Sequence, residues 1–325
     1  MRGPRRLVAG ILLMLVAGPA LAEPAPPTCR MAADDRRWLS AMLTSWRQSE
    51  QTELRLAPAP LSDVYAIDAS CTYRLPHGDL AHVVAVRHGG TVRLPGSKLP
   101  AAAPISFASG EGGGFFAMSL PSVWRAAGVT STLGLDRLLD GVLLHELLHT
   151  RQTALANSII DPVARRLGVA KDLDDDIIQH RFAKRPGYRA AYEAERDALF
   201  AAAAAPSEPE ARRLASTALG RMRERRAGYF SGRDAGFATL DDVFLTMEGM
   251  GQWLAYRHAL TPGGGGFTPA RALAGIRRAG DQWSQDEGLA LILVVHSLLP
   301  GWQALAFRDP DWRAERLLAR AAGER

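Results

Sequence analysis

The sequence predicts an α+β protein: a small N-terminal antiparallel sheet packed on a larger, mostly helical lobe. Three observations carry this. Between Asp63 and Pro121 apolar and polar residues alternate over short runs, the period of half-buried strands. After Pro121 the apolar spacing changes to three and four, the period of helices. Within the stretch from Leu133 to Gln152, Val142, Leu143, Leu144, Leu147 and Leu148 make the helix apolar nearly all round, which marks it as buried. The expected organisation is a leader over 1–22, an α+β part over 23–122 and a helical lobe over 123–325.

The leader reads as a secretory signal peptide. Arg2, Arg5 and Arg6 form a positive start, Leu7 to Val16 an apolar core, and Ala20-Leu21-Ala22 a small-x-small cleavage signal before Glu23. The apolar run is too short for a good membrane span, so no stable membrane insertion is expected once the leader is cut. Three of the 39 basic residues and none of the 34 acidic ones lie in 1–22, which leaves a mature net charge of +2. That balance implies no nucleic-acid partner. The expected location is secreted or periplasmic. Cys29 and Cys71 are the only cysteines, and in an exported chain such a pair predicts a disulfide. Closing the 42-residue interval between them is worth about 3–4 kcal/mol in the chain-entropy account.

Along the chain, residues 31–50 predict an amphipathic helix, with Trp38, Met42 and Trp46 four apart. Strands are expected over 64–67, 81–86, 91–94, 105–108 and 115–120, with His88-Gly89-Gly90 as a hairpin turn and 109–114 as a hairpin tip. Helices follow over 133–152 and 188–205. The next runs from Ser207 to about Arg226, opened by a capping box between Ser207 and Glu210. Its arginines (212, 213, 221, 223, 225 and 226) read as a solvated face. A helix from Asp241, a flexible linker at Gly263–Gly266, an apolar helix over 286–299 and a final amphipathic helix complete the chain.

The chemistry concentrates in the helix over 133–152, which contains His145-Glu146-Leu147-Leu148-His149. Residues four apart share a helix face, so the two imidazoles can hold one metal ion. Glu146, one step round, can reach a water on that metal as general base. Two histidines and a glutamate in so apolar a helix are costly unless something satisfies them, and one zinc ion per chain does so. Neither cysteine fits a metal or nucleophile motif.

A catalytic zinc needs a third protein ligand. One candidate is Glu248, within Met247-Glu248-Gly249-Met250-Gly251-Gln252-Trp253. Two glycines inside a helix cost about 1 kcal/mol each relative to alanine, and close approach of another helix would compensate. The other candidates are Glu193 and Glu195 in Tyr192-Glu193-Ala194-Glu195-Arg196-Asp197.

HELLHTRQ, followed far downstream by MEGMGQWLAY, resembles the gluzincin class of zinc metallopeptidases over about residues 115–256. The resemblance implies zinc ligation by His145, His149 and Glu248, with Glu146 as general base. It also implies that the sheet before the motif helix forms the upper lip of the cleft. The chain departs from that pattern in the long interval between His149 and Glu248. The reading that follows is an exported zinc-dependent metallopeptidase with a peptide or protein substrate. The alternative is a non-catalytic periplasmic zinc-binding or envelope scaffold protein on a similar fold. For the oxyanion of such a reaction, His180, Tyr229, Tyr256 and His258 are candidate donors.

Overall fold

The computed structural model describes residues 28–101, 104–110, 114–278 and 281–324. The signal-peptide reading of 1–22 lies outside them. The fold is α+β, with a five-stranded sheet and a two-stranded ribbon ahead of a helical bulk.

Helix α1 (Ala33–Thr52) buries Leu39, Met42, Leu43 and Trp46, the 3–4 spacing of one face. Asp35 in its first turn accepts hydrogen bonds from the Ser122 backbone N–H at 3.3 Å and hydroxyl at 2.7 Å, which ties α1 to the start of α2 (Pro121–Ala126). The strands are β1 (Asp63–Ile67), β2 (Cys71–Leu75), β3 (Val84–Arg87), β4 (Thr91–Leu94), β5 (Ser97–Pro100), β6 (Ser106–Ser109) and β7 (Phe115–Ser119). The main sheet runs β3-β2-β1-β7-β6.

That sheet is mixed rather than wholly antiparallel, because β1 pairs in parallel with β7, Val64 opposite Phe116 and Ala66 opposite Met118. The segment at 88–90 is likewise no hairpin: β3 pairs with β2, whereas β4 pairs with β5 in the separate ribbon. The tip at 109–114 does join an antiparallel pair, β6 and β7. β7 is buried along its whole length. Phe116 and Met118 join the core beneath the helices, and Phe115 and Ala117 pack with Val92 and Leu94 of the ribbon. Cys29 and Cys71 are disulfide-bonded, their Cα atoms 5.9 Å apart, so the segment before α1 is fixed to β2.

Helix α3 (Leu135–Leu167) continues well past Gln152. Ala156, Ile160, Val163 and Ala164 extend its buried stripe, and Gly168, at φ 73°, closes it in the left-handed conformation. Next come α4 (Ile177–Phe182), α5 (Tyr188–Ala203) and α6 (Glu208–Tyr229). Ser207 makes no side-chain cap, and Glu210 pairs instead with Arg213 at 2.7 Å, so the capping box does not form.

Helix α7 (Phe237–Leu260) packs between α3 and α9 (Trp283–Leu298). The short helices α8 (Pro269–Ile276), α10 (Trp302–Arg308) and α11 (Ala314–Ala322) complete the lobe. The glycine segment after α7 is a bonded turn rather than a linker: the Gly266 N–H donates to the Thr261 carbonyl at 2.8 Å, and Phe267 to Ala259 at 3.1 Å. Among the described residues, no helix is long and apolar enough to cross a membrane.

Candidate metal centre

Helix periodicity places His145 and His149 on the inner face of α3, where α7 crosses it. The crossing is close because α7 presents small residues there. A β-carbon on Gly251 would lie 2.4 Å from Nδ1 of His145, and one on Gly141 would lie 3.2 Å from the Ala255 side chain. Gly249 serves the other side of α7, where an added β-carbon would fall 2.3 Å from the Gly288 carbonyl of α9. Each glycine thus admits a neighbouring helix, and together they bring Glu248 into the α3 face.

Nε2 of His145 lies 3.0 Å from Oε2 of Glu248, and Nε2 of His149 lies 3.1 Å from Oε1. The two Nε2 atoms are 2.8 Å apart. All three residues are buried, and their donor atoms lie within 4.8 Å of one another. This group can hold a metal ion. Gln152, one turn past the motif, sets the tautomer: its Oε1 is 2.9 Å from Nδ1 of His149, while its amide Nε2 faces the Met250 sulfur at 3.4 Å. Nδ1–H of His149 therefore donates to Gln152, so Nε2 is the nitrogen that faces Glu248 and His145.

Electrostatics bind the group further. Burial pushes the His149 pKa down, but the Glu248 carboxylate outweighs it and raises the value from 6.5 to about 10. Burial likewise pushes the Glu248 carboxyl up, and the two imidazoles overcome this to hold it well below the usual carboxylate range. Asp175, in the loop before α4, feels the same charges. Burial first, then repulsion from Glu248, pushes its carboxyl up to about 7. The run Asp174-Asp175-Asp176 was visible in the sequence, but its proximity to Glu248 was not.

A cleft of about 500 Å3 opens on one side of the cluster, lined by His145 and Glu146 of α3, Gln252 of α7 and Trp124 of α2. Pro104 and Ser106 line it from the sheet side, and β6 is the last strand of the main sheet on that edge. Glu146 thus faces open space beside the ligand group.

The alternative third ligands sit elsewhere. Glu195 is fully buried, and the Arg225 guanidinium donates to both its oxygens, at 2.6 and 3.1 Å. Arg225 also donates to Asp241 at 3.1 Å and Arg226 donates to Asp241 at 2.9 Å. These two arginines are therefore internal, not part of a solvated face, because α6 turns them into a buried cluster of acids that offsets their desolvation. Glu193 is partly exposed, 4.0 Å from Arg189. None of the candidate oxyanion donors lines the cleft. The Tyr229 hydroxyl donates to the Pro186 carbonyl at 2.9 Å, His180 is exposed beside Asp174, His258 is buried 3.9 Å from Asp140, and Tyr256 is outside the lining.

No protein-family model matches the chain, and no curated protein or solved structure is significantly similar to it.

Proposed function

We propose that the protein is an exported zinc-dependent metallopeptidase. The observation that carries the reading is the convergence of His145, His149 and Glu248 within 4.8 Å, with Glu146 opening onto the adjoining cleft. Two imidazoles and one carboxylate form a donor set that suits a catalytic zinc and leaves a position open. Bound there, zinc would lower the pKa of a water and polarise a carbonyl. Glu146 would take a proton on the cleft side and return it to the leaving amine. The outer edge of β6 beside Pro104 and Ser106 suits an extended peptide backbone. Export is supported by the leader pattern in the sequence and by the Cys29–Cys71 disulfide.

The test pairs metal content with turnover. Purified protein should contain one zinc per chain and hydrolyse members of a peptide pool. Glu146→Gln should keep the zinc and lose hydrolysis, because a general base is not a ligand. Glu248→Gln should lose both. Zinc retained without turnover of any peptide by the unmodified protein would support the scaffold alternative; no zinc at all would end both readings.

A further inference from the structure

Among the described residues, one cation that lines the cleft has no carboxylate partner. Arg278, just after α8, lines the same cleft as His145 and Glu146. Its neighbour Arg277 is satisfied internally, donating from Nε and Nη2 to the two oxygens of Asp286 at 3.1 Å each. Arg278 has no such partner. Its Nε donates to Oε1 of Gln285 at 3.2 Å, and among the described residues no carboxylate lies within ion-pair distance of its guanidinium. Burial, with no opposing charge, lowers its pKa below that of a free guanidinium, yet a guanidinium so placed stays charged at any ordinary pH.

A partly buried, permanently charged group without a counter-charge is costly to fold, and elsewhere this chain pairs its buried arginines closely. The Arg278 side chain is also held in place rather than free. Oε1 of Gln285 accepts from the Gln252 amide as well, and Gln252 lies one turn past Glu248 on α7. The α7 backbone from Glu248 to Gln252, then the Gln252 and Gln285 side chains, therefore fix the guanidinium relative to the candidate metal group. Its Nη atoms remain able to form the two-pronged contact that guanidinium makes with carboxylate.

We propose that Arg278 binds a carboxylate of the substrate, so that the cleft selects anionic peptides over neutral ones. The proposal rests on the peptidase reading for the identity of the ligand as a peptide. Two sources present this chemistry: the chain-terminal carboxylate, which would make the enzyme a carboxypeptidase, and an acidic side chain within the peptide.

The experiment measures affinity by calorimetry in the zinc-loaded full-length chain carrying Glu146→Gln, so that peptides are not consumed. One probe pair is an acetylated Ala-Ala-Phe tripeptide as free acid and as C-terminal amide. The second is acetyl-Glu-Ala-Phe amide against acetyl-Gln-Ala-Phe amide. The carboxylate member of one pair should bind about tenfold tighter or more, and which pair shows the preference identifies the source. Adding Arg278→Gln should abolish the preference. Adding Arg278→Lys should keep part of it, since charge survives and the fork does not. Thermal melts matching the parent confirm that both variants fold. Equal affinity within both pairs, a preference that survives Arg278→Gln, or no affinity for any probe overturns the proposal. Hydrolysis by the unmodified protein is scored separately. A preference without hydrolysis leaves the carboxylate site standing and removes the peptidase reading; hydrolysis without a preference does the reverse.

Discussion

Gly251 of α7 leaves the room that the His145 ring occupies: a β-carbon there would stand 2.4 Å from Nδ1. A residue outside the candidate metal group thereby decides where one of its members sits. Gly251→Ala should lower metal affinity by tenfold or more, even though alanine is the better helix former by about 1 kcal/mol. Gly249→Ala makes the complementary control. Its β-carbon would meet the Gly288 backbone at 2.3 Å, so it should destabilise the fold by about 1–3 kcal/mol through overpacking. Chelator competition and thermal melts separate the two. Unchanged metal affinity in Gly251→Ala would mean that α7 can retreat without moving Glu248.

The acids of α5 provide a second contrast. Glu195→Ala strips Arg225 of both its hydrogen bonds to Glu195 and should cost about 3–5 kcal/mol of stability, with metal content unchanged in the protein that remains folded. Glu193→Gln should change neither. Loss of metal from either variant, measured on folded protein, would show that α5 contributes to the site.

Gln152 should matter to metal affinity although it is no ligand. Gln152→Leu keeps the side-chain bulk but removes the acceptor that fixes Nδ1–H of His149. Affinity should fall about 10- to 100-fold, with the stoichiometry at saturating metal intact. If affinity is unaltered, packing alone orients the ring.

The His149–Glu248 pair predicts a pH signature. A histidine raised from 6.5 to about 10 contributes stability that is complete below 6.5 and lost as pH rises through 10. The metal-free protein should therefore lose thermal stability between about pH 6.5 and 10. Metal binding needs His149 deprotonated at Nε2, so metal affinity should rise over the same window. The gap in Tm between metal-loaded and metal-free protein should widen with pH; a constant gap would contradict a protonated His149 in the metal-free state.

Much of the candidate site was legible because helix geometry fixes it locally. The spacing of His145 and His149 depends on nothing beyond α3, and the glycines around Glu248 announced a close crossing before any partner helix was known. Distant pairings that no motif or cysteine marks were not legible. The parallel pairing of β1 with β7 brings together segments some 50 residues apart, and no local pattern in either encodes a direction. Strand β2 escaped notice because Thr72 and Arg74 interrupt its apolar run. Arg225 and Arg226 looked solvated beside their exposed neighbours on α6, since the acids that bury them come from α5 and α7. Arg278 carried no signal of its own. Its lack of a carboxylate partner among the described residues is something only a folded chain can show.

The three residues of the candidate metal group come from α3 and α7, whereas the cleft walls also draw on the β6 edge, α2, α8 and the approach to α9. On the proposed reading, catalytic chemistry and selectivity would draw on largely separate material. The wall residues Trp124 and Ser106 lie outside that crossing, so on the proposed reading the cleft could be retargeted there while α3 and α7 stay as they are.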